Sequence, residues 1–77
     1  MKRIVSKYSR RAPYEQIDEH EILCSASEMR HLFDVDDDQD MIFVYQIKSD
    51  DQVSFFKNLG VPIEPKEGFW YVECYEE

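Results

Sequence analysis

Asp34, Asp36, Asp38 and Asp40 alternate in the run Asp34-Val35-Asp36-Asp37-Asp38-Gln39-Asp40, the spacing with which a calcium loop opens its carboxylate set. Two further positions decide against that chemistry. The sixth residue of such a loop is Gly, for the sharp turn, and here it is Gln39. The twelfth supplies a bidentate Glu, and here it is Tyr45. The same residues are explained as a solvated turn or as a docking patch for a basic partner, with Asp37 in the patch.

Thiols and imidazoles are the other candidates. His20, Cys24, His31 and Cys74 lack paired zinc spacing, although His20 and Cys24 are four apart. Cysteine–histidine catalysis would need one of these thiols to meet an imidazole in a cleft, which no local spacing dictates. With only Gly60 and Gly68 there is no phosphate-cradling glycine loop, and no GxSxG, HExxH or P-loop pattern occurs. Seventeen acids in 77 residues make close carboxylate pairs unavoidable, so such pairs are not diagnostic of acid–base catalysis. The expectation is a protein that is not an enzyme and carries no cofactor.

Charge narrows the partner class. Nine Lys and Arg face seventeen Asp and Glu, for a net charge of −8. Lys2, Arg3, Lys7, Arg10 and Arg11 cluster at the start, which leaves only Arg30, Lys48, Lys57 and Lys66 against all the acids of residues 13–77. Such a field repels phosphate backbones, so nucleic acid is excluded as the expected ligand, and it speeds encounter with a basic protein surface. A solubilising surface accounts for the same surplus. Two Cys without a CxxC pair, and no apolar leader before them, point to the cytoplasm. The longest apolar run, Met41 to Tyr45, is far too short for a membrane span, so no membrane role is expected.

The elements that would position these residues follow from periodicity. Residues Arg3 to Ser9 alternate as a half-exposed strand, and Tyr14 to Ile22, after the break at Arg10-Arg11-Ala12-Pro13, returns as a strand able to form a hairpin with it. Its many acids suit a solvated edge facing the basic residues of the first strand. Ser25-Ala26-Ser27-Glu28 is a capping box for a helix ending near Asp34, with Met29, Leu32 and Phe33 on its inner stripe. Met41 to Ile47 is the strongest strand pattern and is expected at the centre of the sheet. Ser49-Asp50-Asp51-Gln52 caps a second helix, with Val53, Phe56 and Leu59 inward and Gly60 at its end; Phe69 to Tyr75 is the final strand. One domain over residues 1–77 is expected, an α+β or α/β fold in the order β-β-α-β-α-β: a single layer of about four strands with two short helices packed on it. Strand–helix–strand crossovers between parallel neighbours would be right-handed and would put both helices on one face.

Aromatics complete the inventory. Phe69, Tyr71 and Tyr75 fall on one face of the last strand and Trp70 on the other. Core packing is the default for most of them, while Tyr45, Trp70, Tyr71 and Tyr75 are candidates for contact with a partner, rings filling pockets beside carboxylates that pair with its Lys or Arg.

The stretches Ile4-Val5-Ser6-Lys7-Tyr8, Leu32-Phe33-Asp34-Val35-Asp36-Asp37-Asp38, Met41-Ile42-Phe43-Val44-Tyr45-Gln46-Ile47 and Tyr71-Val72-Glu73-Cys74-Tyr75 together resemble a family of small bacterial proteins that look like immunity or antitoxin proteins of toxin systems, including contact-dependent growth inhibition. Gln39-Asp40 stands where the family pattern has Asp-Pro. The resemblance implies a cytoplasmic protein that neutralises a cognate toxin, a basic nuclease domain, and it brings no catalytic residues. The expected contacts are Asp34, Asp36, Asp37, Asp38 and Asp40, with Asp50 and Asp51. Alternatives from the residues are a phage-type nucleic-acid mimic that inhibits a host nuclease, a small metal- or Cys-dependent enzyme, and a homodimer formed through an edge strand or exposed rings.

Overall fold

The computed structural model of the chain describes residues 2–35 and 44–75. The order is β1 (Lys2–Tyr8), β2 (Gln16–Ile22), α1 (Ala26–Phe33), β3 (Tyr45–Gln46), α2 (Asp50–Asn58) and β4 (Phe69–Tyr75). This is the expected α+β sequence of elements. The strands form one sheet in the order β2-β1-β4-β3, with every neighbouring pair antiparallel. Among the described strands no parallel crossover arises, so the handedness rule has nothing to act on there.

The expected central place of Met41–Ile47 is corrected. Its described part, β3, lies at an edge, and the central strands are β1 and β4; Met41 to Phe43 lie outside the described residues. Both of its described core contacts lie on the helix-bearing face: Tyr45 meets Phe33 at 5.5 Å between ring centroids and Ile47 is buried. Neither contact requires a neighbour on each side.

Register fixes the faces of the sheet. Opposite residues on paired strands share a face, and alternate residues along a strand change face. Val5 pairs with Val72 and His20, and Lys7 with Trp70, so these side chains lie on one face. Val5, Ile22, Trp70 and Val72 join Met29 of α1 and Phe56 of α2 in a single buried cluster, which places both helices on that side. Val61 and Ile63, in the loop after α2, are also buried in it. Sequence periodicity gave no sign of this loop contribution.

Local chemistry explains the helix ends. Ser49 caps α2 by accepting from the Gln52 N–H, while Gln52 Oε1 accepts from the Ser49 and Lys48 N–H groups, a complete capping box. The α2 terminus closes with Val61 N–H donating to Phe56 O and Gly60 N–H to Lys57 O, the paired bonds that need a left-handed residue, supplied by Gly60 at φ +92°. Leu59, expected inward, is the C-cap and turns outward. At α1 the box is half built. The Ser25 hydroxyl accepts from Glu28 N–H, but Glu28 returns to that hydroxyl at 3.1 Å rather than to the Ser25 amide.

The β1–β2 hairpin places acids opposite bases as expected for a solvated edge, with Lys7 facing Asp18 and Lys2 Nζ 3.8 Å from Glu21.

Candidate functional site

The second face of the sheet carries Ile4, Ser6 and Tyr8 of β1, Glu19 and Glu21 of β2, and Phe69, Tyr71 and Glu73 of β4. Neither helix packs on it, because both contribute their buried residues to the opposite cluster. A groove of about 480 Å³ opens on this face, lined among the described residues by Tyr8, Tyr14, Val44, Phe69, Tyr71 and Glu73.

Glu73 is the unusual member, a carboxylate only 7% exposed in a central strand. Burying such a group is costly unless hydrogen bonds replace its water. They do so here: the Tyr8 hydroxyl donates to Oε1 at 2.7 Å and the Ser6 hydroxyl to Oε2 at 3.2 Å. Gln16 extends the network, donating to the Ser6 hydroxyl at 3.3 Å and to Glu19 Oε2 at 3.0 Å. A polar line thus runs across the sheet from the acidic edge of β2 to the floor of the groove.

The rings are held in fixed relation. Tyr8 meets Tyr71 edge-to-face at 5.5 Å, and Tyr14 tilts against Phe69 at 6.3 Å while remaining 65% exposed. Arg10 places its guanidinium 4.8 Å from the Phe69 ring centroid and donates to the Pro65 carbonyl.

The expected contact residues are dispersed. Asp34 is exposed at the C-cap of α1, in the left-handed conformation at φ 55°. Asp50 and Asp51 are exposed in the first turn of α2, where the helix dipole favours them. Asp36, Asp37, Asp38 and Asp40 lie outside the described residues. Trp70 is 2% exposed and belongs to the core; its indole N–H donates to the Glu64 carbonyl at 3.1 Å, and Lys7 sits 5.4 Å from its ring. It therefore presents no surface to a partner. Tyr45 is half-buried and turned toward the helices, against Phe33. Tyr71 alone of the four expected aromatics is shown lining the groove. Tyr75 is placed in β4 opposite Lys2.

Glu73, Tyr8, Tyr14 and Phe69 were missed as a group. The signal available was period two: Phe69, Tyr71 and Glu73 share one side of their strand, and Ser6 and Tyr8 share one side of theirs.

No group of three or more His, Cys, Asp or Glu that could hold a metal occurs among the described residues. His20 lies over Trp70 at 6.5 Å and bonds Asp18 at 2.9 Å. Burial, reinforced by the neighbouring charge of Glu28, pushes the Cys24 thiol up to about 11, away from the thiolate form a nucleophile requires. No described helix is long and apolar enough to cross a membrane. Comparison with family models found no match, and comparison with curated proteins and with solved structures found none either.

Proposed function

We propose that this domain works by binding a basic protein partner, as an immunity protein that neutralises a toxin domain of nuclease type, and that it carries out no reaction itself. Its main support is the sheet face opposite α1 and α2, where an aromatic groove adjoins the acidic edge strand β2. In β2, Asp18, Glu19 and Glu21 are exposed, as is Ile17, and Leu23 just beyond is 91% exposed. Rings able to anchor, bordered by carboxylates able to select for positive charge, form the anatomy of a protein-recognition surface. The excess of acids over bases in residues 13–77 supports the same choice of partner. In this mechanism carboxylates occupy the positions that phosphates would take on the toxin, so inhibition is steric and electrostatic. Asp34, Asp50 and Asp51 add to the steering field from outside the contact.

The test is capture on the immobilised chain at low ionic strength, release at high salt, and assay of the released protein. The expected partner is basic, and its nuclease or growth-inhibiting activity falls stoichiometrically as the domain is added back. Glu19→Gln with Glu21→Gln should weaken the complex and flatten its salt dependence. A captured protein whose activity is indifferent to the domain, or the absence of any salt-sensitive partner, would overturn the reading.

A further inference from the structure

We infer that the outer edge of β2 is a docking site for an extended segment of the partner, a strand bearing lysine or arginine at alternate positions that lengthens the sheet beyond β2. That this segment belongs to a toxin rests on the function proposed above; the preference for a basic strand rests on the edge itself.

The backbone supplies the first half of the site. Among the described strands β2 pairs with β1 alone. Along such an edge alternate residues turn their N–H and C=O groups away from the neighbouring strand, and an added strand pairs with that outward row. β2 runs for seven residues, Gln16–Ile22, whereas β3 at the other edge of the described sheet has two, Tyr45–Gln46. Its register with β1 is irregular only at the start, where Asp18 and Gln16 face Lys7 and Tyr8; from Asp18 to Ile22 the outward groups are evenly spaced. The strand is exposed from Gln16 to Glu19 and again at Glu21.

Side chains select the occupant. No lysine or arginine occurs between Arg11 and Arg30. By their pairing with Lys7, Ser6 and Ile4, Asp18 lies on the helix-bearing face and Glu19 and Glu21 on the other, so an added strand meets carboxylate on either side. Among the described residues Glu19 is bonded by a neutral side chain, the Gln16 amide at 3.0 Å, and the Lys2 ammonium stands 3.8 Å from Glu21 with both groups open to water. Attraction between exposed charges follows the net charge of the border and requires no vacant acceptor position. Opposite charges across a ladder stabilise it and like charges oppose it, so a basic residue beside Glu19 and another beside Glu21 favour one class of strand. Charge on an edge also guards against aggregation, a role that polar ends would serve as well. Here the ends are apolar: Ile17 and Leu23 are exposed on either side of the acids and offer contact to the ends of a bound segment.

The test uses the full chain and synthetic peptides of the same length as β2. One alternates lysine with threonine; the second replaces each lysine by glutamate; the third keeps the lysines but is N-methylated at every second residue, which removes backbone donors without changing charge. The lysine peptide should bind saturably and slow amide exchange at every second residue of β2, leaving the intervening amides unchanged. The N-methylated and glutamate peptides should each bind about tenfold more weakly or worse. Glu19→Gln with Glu21→Gln, both at exposed positions, should weaken the lysine peptide by about threefold or more. Equal binding of the N-methylated peptide, protection without alternation, or protection at Gln46 instead of β2 would overturn the inference, as would the same protection in concentrated protein without peptide, which would make the occupant a second copy. Strand addition by the lysine peptide with no basic protein captured would remove the immunity reading alone. A captured nuclease that leaves the β2 amides unprotected would keep that reading and overturn this one.

Discussion

Tyr8 and Glu73 lean toward each other along neighbouring strands, and the Tyr8 hydroxyl reaches Glu73 Oε1 at 2.7 Å although the two residues are 65 positions apart in sequence. In the β1–β4 ladder Tyr8 faces Phe69 and Glu73 faces Ile4, so the bond passes over the Ser6–Tyr71 pair. The Tyr8 ring covers Tyr71 on the way. One side chain thereby builds a groove wall and fixes the carboxylate at its floor.

Removing the donor should show what this bond contributes. Tyr8→Phe keeps the ring and deletes the hydroxyl, and is expected to cost about 1–3 kcal/mol, the range for depriving a buried polar group of a hydrogen bond. Ser6→Ala should cost somewhat less, since its bond is longer. Urea denaturation of both single variants and the double would reveal coupling through the shared carboxylate; strict additivity would show that the two hydroxyls do not act on one group.

Gly68 stands where β4 begins, and a Cβ there would lie 2.7 Å from the Tyr8 carbonyl oxygen. Backbone cannot swing aside as a side chain can. Gly68→Ala is expected to cost about 1–3 kcal/mol by forcing the strands apart. Amide shifts in the same variant should be largest around Tyr8 and Phe69. An unchanged denaturation midpoint would refute the close approach.

Two left-handed positions predict opposite signs. Gly60 has φ +92° with open space around it, so Gly60→Ala is strained by conformation alone and should lose about 1 kcal/mol. Asp34 bears that strain now at φ 55°, and Asp34→Gly should gain about 0.5–1 kcal/mol. Thermal melts of the two variants should move in opposite directions.

Cys24 gives a pH prediction. Burial first, and then the charge of Glu28, raises its thiol from 9.0 to about 11 in the folded chain. Between those values the unfolded state has released a proton that the folded state retains, so stability is complete below about 9 and declines as pH rises toward 11. Alkylation of Cys24 by iodoacetamide at pH 8 should be more than about tenfold slower in the folded chain than in urea, because the thiolate is the reacting form. Glu28→Gln should lower the thiol's pKa and speed the reaction. A rate already at its plateau at pH 8 would contradict the shift.

Local signals carried much of the fold. Ser49 with Gln52, and Gly60 followed by Pro62, marked α2 by bonding patterns that depend on residues a few positions apart. The alternation of β1 and β4 was legible for the same reason. Strand order was not, because the apolar character of a run such as Met41 to Ile47 says nothing about its lateral neighbours. The groove was hidden more deeply: Glu73 gains its meaning from Ser6 and Tyr8, 67 and 65 positions away, and only register brings them together. Trp70 looked like a candidate anchor because its composition suits one; its side of β4 is the side the helices occupy.

The acids along β2 also let the sheet discriminate between its own copies and other chains. Placed edge to edge with an identical neighbour, the outermost strand of the described sheet would bring Asp18, Glu19 and Glu21 against the same residues of that neighbour. Like charges opposed across a ladder are repulsive, so pairing of this edge with its own copy is disfavoured wherever those acids come opposite one another. A strand bearing lysines or arginines meets attraction at the same border. Self-pairing along this margin is thus discouraged by the very charges that leave it open to a stranger.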